Sequence, residues 1–262
     1  MLYILDKHTD PLPVFNYSRI LSLVPSITET ICDLGRANNI VGRTNFCKYT
    51  QELMSSLPIV GGPKNIDSET VQLLNPSVIF VVKEENEKET VEHLALLFDV
   101  VMFNIESWED NLIMIRRLSK ILDTVESGNQ LLNNIKEKTF LLNTNKIKPK
   151  VIYLIWKKPF YTVSNHTYIN AMLELAGFDN CYINRSDRYP EIDFDEIYNS
   201  DAEFLFLSSE PYPFKMPDVE YYKSKLPRLR VELVDGEMFA WYGSRSLKAL
   251  SYIYGLNEQL NR

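Results

Sequence analysis

Short apolar runs alternate along this chain with stretches in which hydrophobic positions recur every three or four residues. The runs at 19–24, 40–44, 78–82, 100–103, 151–156, 161–163, 181–184, 204–208 and 231–235 predict strands. The periodic stretches at 27–35, 68–74, 87–97, 107–122, 168–176, 194–199 and 244–260 predict helices. Several strand runs, 78-VIFVV-82 among them, are continuously apolar. That is the pattern of a parallel sheet covered by helices on both faces. Pro63 and Pro76 fall in connections, where a missing N–H does no harm.

The pattern repeats. IDSETVQLLNPSVIFV at 66–81 lies without a gap on IDFDEIYNSDAEFLFL at 192–207, pairing Asp67 with Asp193, Glu69 with Asp195 and Phe80 with Phe206. At a different offset, Gly35 and Gly177 each follow a predicted helix and precede a predicted strand, as suits a left-handed residue at a helix end. Two similar Rossmann-like α/β lobes with parallel sheets are therefore expected, over 1–122 and 147–262, with a cleft between them. The intervening 123–146 carries Leu131, Leu132, Ile135, Thr139 and Leu142 at helical spacing. It predicts one long connecting helix of roughly 30–35 Å, stiffer than a linker rich in Gly, Ser and Pro.

Composition narrows the function. A 262-residue chain with 45% hydrophobic and 24% charged residues is that of a globular protein. A net charge of −7, with no long run of Lys and Arg, excludes a nucleic-acid partner. The longest apolar runs are strand-sized and far short of a membrane span. MLYILDKHTDPLPVF shows no signal-peptide pattern and no cysteine for lipidation. Cys32, Cys47 and Cys181 have no metal-type spacing, and Cys32 and Cys181 read as small apolar fillers.

Asp67 and Asp193 each precede a short amphipathic helix and fit the N-cap role. Glu69 and Asp195 then fall in the first turn. Two readings are open: they complement the helix dipole, or they form a pseudo-symmetric pair of docking acids for a two-fold partner. A ligand of an open parallel sheet binds beyond the carboxyl ends of its strands. Pro25, Phe46, Cys47, Trp156, Phe160, Tyr161, Tyr212, Glu237, Phe239, Trp241, Tyr242 and Arg245 all stand at or beyond the carboxyl end of a predicted strand. So many rings suit a flat, mostly apolar guest. For Trp156 and Phe239 a place in a lobe core is an equal alternative, whereas Trp241 and Tyr242, among Gly and polar neighbours, suit an exposed loop.

RILSLVPSITETICDLG, IVGRTNFC, the GGPKNID segment and LLNPSVIFV together resemble the N-terminal lobe of class III periplasmic binding proteins, the helical-backbone metal receptor superfamily. PFYTVSN, ELAGFDN, YPEIDFDEIYNSDAEFLFLS and VDGEMFAWYGSR are similar to its second lobe. The resemblance covers roughly residues 19–260 and is strongest to the cobalamin-binding branch. It implies a monomeric substrate-binding protein of an ABC importer, without catalysis or an intrinsic cofactor, that captures cobalamin, haem or a ferric siderophore for a membrane permease. It also implies ligand contacts at Phe46, Tyr161, Glu237 and Arg245, and permease docking through Glu69 and Asp195. Family members are periplasmic or held at the cell surface; with no export signal visible here, a cytoplasmic address stays open. Pro63 stands where the cobalamin-binding relative presents an aromatic.

Two rival readings use other residues. Of His8, His93 and His166, only His166 falls near the expected cleft, so a bare-metal site of several His ligands is not expected. Cys47 and His166 could act as soft ligands to the metal of a chelate, or as nucleophile and base of an enzyme. The latter lacks an orienting third residue, and no glycine-rich nucleotide loop is present. A cytosolic corrinoid or metal-chelate carrier or sensor is the remaining alternative.

Overall fold

A computed structural model describes residues 1–5, 9, 11–47, 55–142 and 148–260. The chain forms two compact units. Unit 1 comprises Met1–Ile105, Glu109–Lys136 and Tyr242–Arg245; unit 2 comprises Glu106–Trp108, Glu137–Trp241 and Ser246–Arg262.

The sheet of unit 1 contains β1 (Leu2–Leu5), β2 (Ile20–Ser22), β3 (Ile40–Gly42), β6 (Val78–Val82) and β7 (Val100–Phe103). Their order is β1-β7-β6-β2-β3, with all pairs parallel. Between β3 and β6 runs a small antiparallel ribbon, β4 (Gly61–Gly62) with β5 (Asn65–Ile66). The helices α1 (Pro25–Ile31), α2 (Ser68–Leu74), α3 (Lys88–Leu97) and α4 (Trp108–Ile121) follow strands, as parallel pairing requires. Every residue of β6 is buried, so its continuous apolar run reflects cover on both faces. Leu21, Ile79 and Val81 pack with Val71 of α2 and Val91 and Leu94 of α3.

Unit 2 repeats the plan. β8 (Lys150–Leu154), β11 (Asp179–Asn180), β13 (Phe204–Ser208) and β14 (Arg230–Val234) form a parallel sheet in the order β11-β8-β13-β14. β9 (Trp156–Lys157), β10 (Phe160–Tyr161) and β12 (Glu191–Ile192) form an antiparallel three-stranded sheet. The helices are α6 (Tyr168–Leu175), α7 (Phe194–Asn199), α8 (Met216–Lys225), α9 (Glu237–Ala240) and α10 (Ser246–Leu260). Phe239 is fully buried, its ring 5.3 Å from Tyr153 and 6.4 Å from Phe206, so it is a core residue.

The sequence repeat is a structural one: β5-α2-β6 and β12-α7-β13 carry the same elements at the same offset. Gly35 and Gly177 both adopt left-handed backbone, with φ of 87° and 84°.

Some expectations are corrected. The connecting helix α5 runs over Val125–Phe140, 16 residues and about 24 Å, shorter than 123–146; residues 143–146 of that prediction lie outside the described residues. Residues 181–184 are turns, not strand. β1 and α8 were not legible in the pattern. Among the described residues no helix is long and apolar enough to cross a membrane.

Candidate functional site

In unit 1 the carboxyl ends of β2, β3 and β6 lead into three loops. After β2, Pro25 opens α1 at a position where its missing N–H is harmless. After β3, Phe46 is 53% exposed. Its ring lies over the ribbon, where a side chain on Gly62 would come within 3.1 Å of Cε2. Cys47 turns inward, buried, with Sγ 3.3 Å from Thr44 Oγ1. After β6, Asn86 is buried and fastens two loops: its Oδ1 accepts from Val82 N, and its Nδ2 donates to Leu23 O and Pro63 O. Glu85 beside it accepts from the Tyr242 hydroxyl. Burial pushes its carboxyl up to about 7, against the lowering effect of that hydrogen bond.

The segment Tyr242–Arg245 packs within unit 1. Tyr242 is only 4% exposed, which corrects the expectation of an exposed loop residue. Burial and the adjoining Glu85 raise its phenol well above the usual range. Arg245 Nε donates to Glu29 Oε2 at 2.7 Å. Glu29 and Glu85, the acids that hold this segment, were missed by sequence reasoning; Glu29, within the ITETI stretch of α1, was signalled only by its flanking β-branched residues, and Glu85, within KEENE, by nothing.

In unit 2 the loop after β8 brings Trp156 and Tyr161 into register on paired strands. Trp156 is 40% exposed and meets Tyr212 edge-on at 5.6 Å. Tyr161 is half-buried, its hydroxyl 3.4 Å from Glu191 Oε2. Lys157 pairs with Asp218 and fixes the hairpin to the start of α8. After β14, Gly236 approaches the β13 loop so closely that a Cβ would lie 2.5 Å from Ser208 Oγ. Glu237 and Trp241, at the two ends of α9, are half-buried.

His166, with a left-handed φ of 58°, has Nδ1 3.8 Å from Glu106 Oε2 in unit 2, whereas Cys47 lies in unit 1. Among the described residues no group of three or more His, Cys, Asp or Glu is arranged to hold a metal ion. Burial pushes the thiols of Cys32 and Cys181 up to about 12 and about 11, so both stay protonated.

The two acids hold equivalent places. Asp67 accepts from the amides of Glu69 and Thr70, and Asp193 forms a capping box with Glu196. Glu69 and Asp195 are each the second residue of their helix and exposed.

Comparison with known proteins decides the family. A family model described as periplasmic binding protein matches residues 20–222. The chain belongs to that family. Among its relatives is a vitamin B12-binding protein of Yersinia pestis (strain Pestoides F), 21% identical over 201 residues that span 75% of this chain and 71% of the relative. The fold matches the periplasmic heme binding protein HutB of Vibrio cholerae with a TM-score of 0.79 at 17% identity, covering 94% of this chain and all of that one (100%). It matches the periplasmic vitamin B12 binding protein BtuF of Vibrio cholerae with a TM-score of 0.75 at 17% identity, covering 94% and 98% of the two chains. The two-lobed α/β architecture is thus that of these binding proteins.

Proposed function

We propose that this chain binds a metal chelate of the cobalamin, haem or ferric-siderophore class and delivers it to an ABC-type permease, without transforming it. The carrying observation is that each unit offers a large, substantially exposed aromatic ring on a loop at the carboxyl end of its sheet. These are Phe46 in unit 1, 53% exposed, and Trp156 in unit 2, 40% exposed. Exposed aromatic rings stack on flat apolar ligands. Relatives named for vitamin B12 and for heme support the class. In this reading Pro25, Tyr161, Glu237 and Trp241 complete the contact set. Cys47, Tyr242 and Arg245, engaged with Thr44, Glu85 and Glu29, hold the loops in place. The protein works as a monomer in the periplasm or at the cell surface, and Glu69 and Asp195 dock on basic residues of the permease.

The test is a titration with cyanocobalamin, haemin and a ferric hydroxamate chelate, followed by intrinsic Trp fluorescence. Saturable quenching by one of them, reduced in Trp156→Phe, is expected; silence with all three overturns the ligand class. For docking, a Glu69→Ala/Asp195→Ala variant should lose uptake and keep its ligand affinity. Unchanged uptake would leave a carrier or sensor, and turnover of the ligand would make the protein an enzyme.

A further inference from the structure

The four residues Tyr242–Arg245 form a strap: they fold with unit 1, while Trp241 before them and Ser246 after them fold with unit 2. Polar bonds hold the strap. The Tyr242 hydroxyl donates to Glu85 and also bonds Ser26. Gly243 N donates to Asn111 Oδ1 at 2.7 Å, and Ser244 N to Thr30 Oγ1 at 3.0 Å. Arg245 Nε donates to Glu29 Oε2 at 2.7 Å. The seat is shaped for this backbone alone, because Gly243 has φ +74° and a Cβ there would overlap Thr30 Oγ1.

The two carboxylates under the strap differ in one respect. Glu29 is balanced by the guanidinium of Arg245. Glu85 makes no ion pair among the described residues. The charged and titratable groups around it are Tyr242 on the strap, Glu84 in its own turn and Lys64 on the ribbon. Lys64 is itself engaged, donating to Glu84 O at 2.9 Å and lying 3.6 Å from Glu87. A half-buried carboxylate without a balancing cation is disfavoured relative to its acid. A protonated carboxyl still accepts from Tyr242.

We propose that the strap Tyr242–Arg245 is a proton-controlled latch, clipped into unit 1 when Glu85 is protonated and loosened when it ionises. The sign follows from linkage. The carboxyl of the clipped state, pushed up to about 7 by burial, binds its proton more tightly than a hydrated Glu of ordinary value 4.5. Rising pH therefore favours release across that window, and the effect levels off above it. One linked proton changes the latch equilibrium by at most about tenfold per pH unit. The inference concerns unit 1 alone and stands whatever ligand the protein binds.

The test is amide hydrogen exchange of the peptide spanning 242–245 in the full chain, corrected for intrinsic rates, between about pH 5 and 8.5. Protection should fall as pH rises and level off near 7. In Glu85→Gln, which keeps an acceptor for Tyr242 but does not titrate, it should be independent of pH. Should that variant fail to fold, Tyr242→Phe carries the test. Loss of the hydroxyl removes the interaction that lowers the Glu85 carboxyl, so the levelling-off should move to higher pH. Protection that is flat in the parent chain, an unaltered slope in Glu85→Gln, or a levelling-off at the same or lower pH in Tyr242→Phe would overturn the latch.

Discussion

Arg245 and Glu29, 216 residues apart in the chain, meet at 2.7 Å with side chains only 11% and 2% exposed. Such a pair is costly to break from one side, because the remaining charge stays buried. Arg245→Ala should therefore lower the unfolding free energy by about 3–5 kcal/mol, read from urea melts with unchanged slope. The double variant Glu29→Gln/Arg245→Met should recover most of that loss, since no charge is then stranded. A double variant as unstable as the single one would mean that packing, not charge, sets the cost.

The Asp67 cap answers acid differently from the latch. Thr70, through its hydroxyl and its amide, holds the Asp67 carboxyl below its usual range. A depressed carboxyl stabilises the fold at pH above its unfolded value of 3.8, and that contribution is lost as pH falls through the folded value. Exchange protection at the start of α2 should thus decline on acidification below the ordinary carboxylate range. In Asp67→Asn, which caps without titrating, the decline should be absent. An equal decline in that variant would assign the acid sensitivity to another group.

Glycines give a contrast in sign. Gly243→Ala forces a left-handed residue and a Cβ onto Thr30 Oγ1, so at least about 1–3 kcal/mol should be lost, with faster exchange across the strap. Gly255 lies inside α10, and nothing approaches where its Cβ would be within 4 Å. Gly255→Ala should stabilise by roughly 0.5–1 kcal/mol. Thermal melts of the two variants should move in opposite directions.

What could be read from sequence was whatever depends on local pattern. β6 and β13 announce themselves as continuous apolar runs, and the repeat linking Asp67 to Asp193 reappears as matched caps, helices and strands. Where a side chain diverts the backbone, pattern fails. Asn180 Oδ1 accepts from Tyr182 N, and its Nδ2 bonds Val163 O and Asn170 Oδ1; that turn ends β11 before the apolar residues of 181–184 can extend it. α8 buries only Val219 and Tyr222 and so lacks an apolar stripe. Tyr242 looks like a loop residue because its neighbours are small and polar, yet its partner Glu85 is 157 residues away. Long-range pairing of polar groups leaves no periodic trace, which is why Glu29 and Glu85 went unseen while the loops that carry Phe46 and Trp156 were placed.

Those two rings supply the last prediction. Phe46 is more than half exposed, so Phe46→Ala should change stability by no more than about 0.5 kcal/mol. Trp156 gives up an edge contact with Tyr212, and Trp156→Ala should cost about 0.5–1.5 kcal/mol for that pair. If the rings stack on the ligand, both variants should bind it more weakly by on the order of ten- to a hundredfold, measured by calorimetry with the chelate that quenches fluorescence in the parent chain. Phe46→Tyr should keep most of the affinity, because it preserves the face of the ring. An affinity loss confined to one of the two alanine variants would restrict ligand contact to that unit, and no loss in either would place the ligand away from both loops.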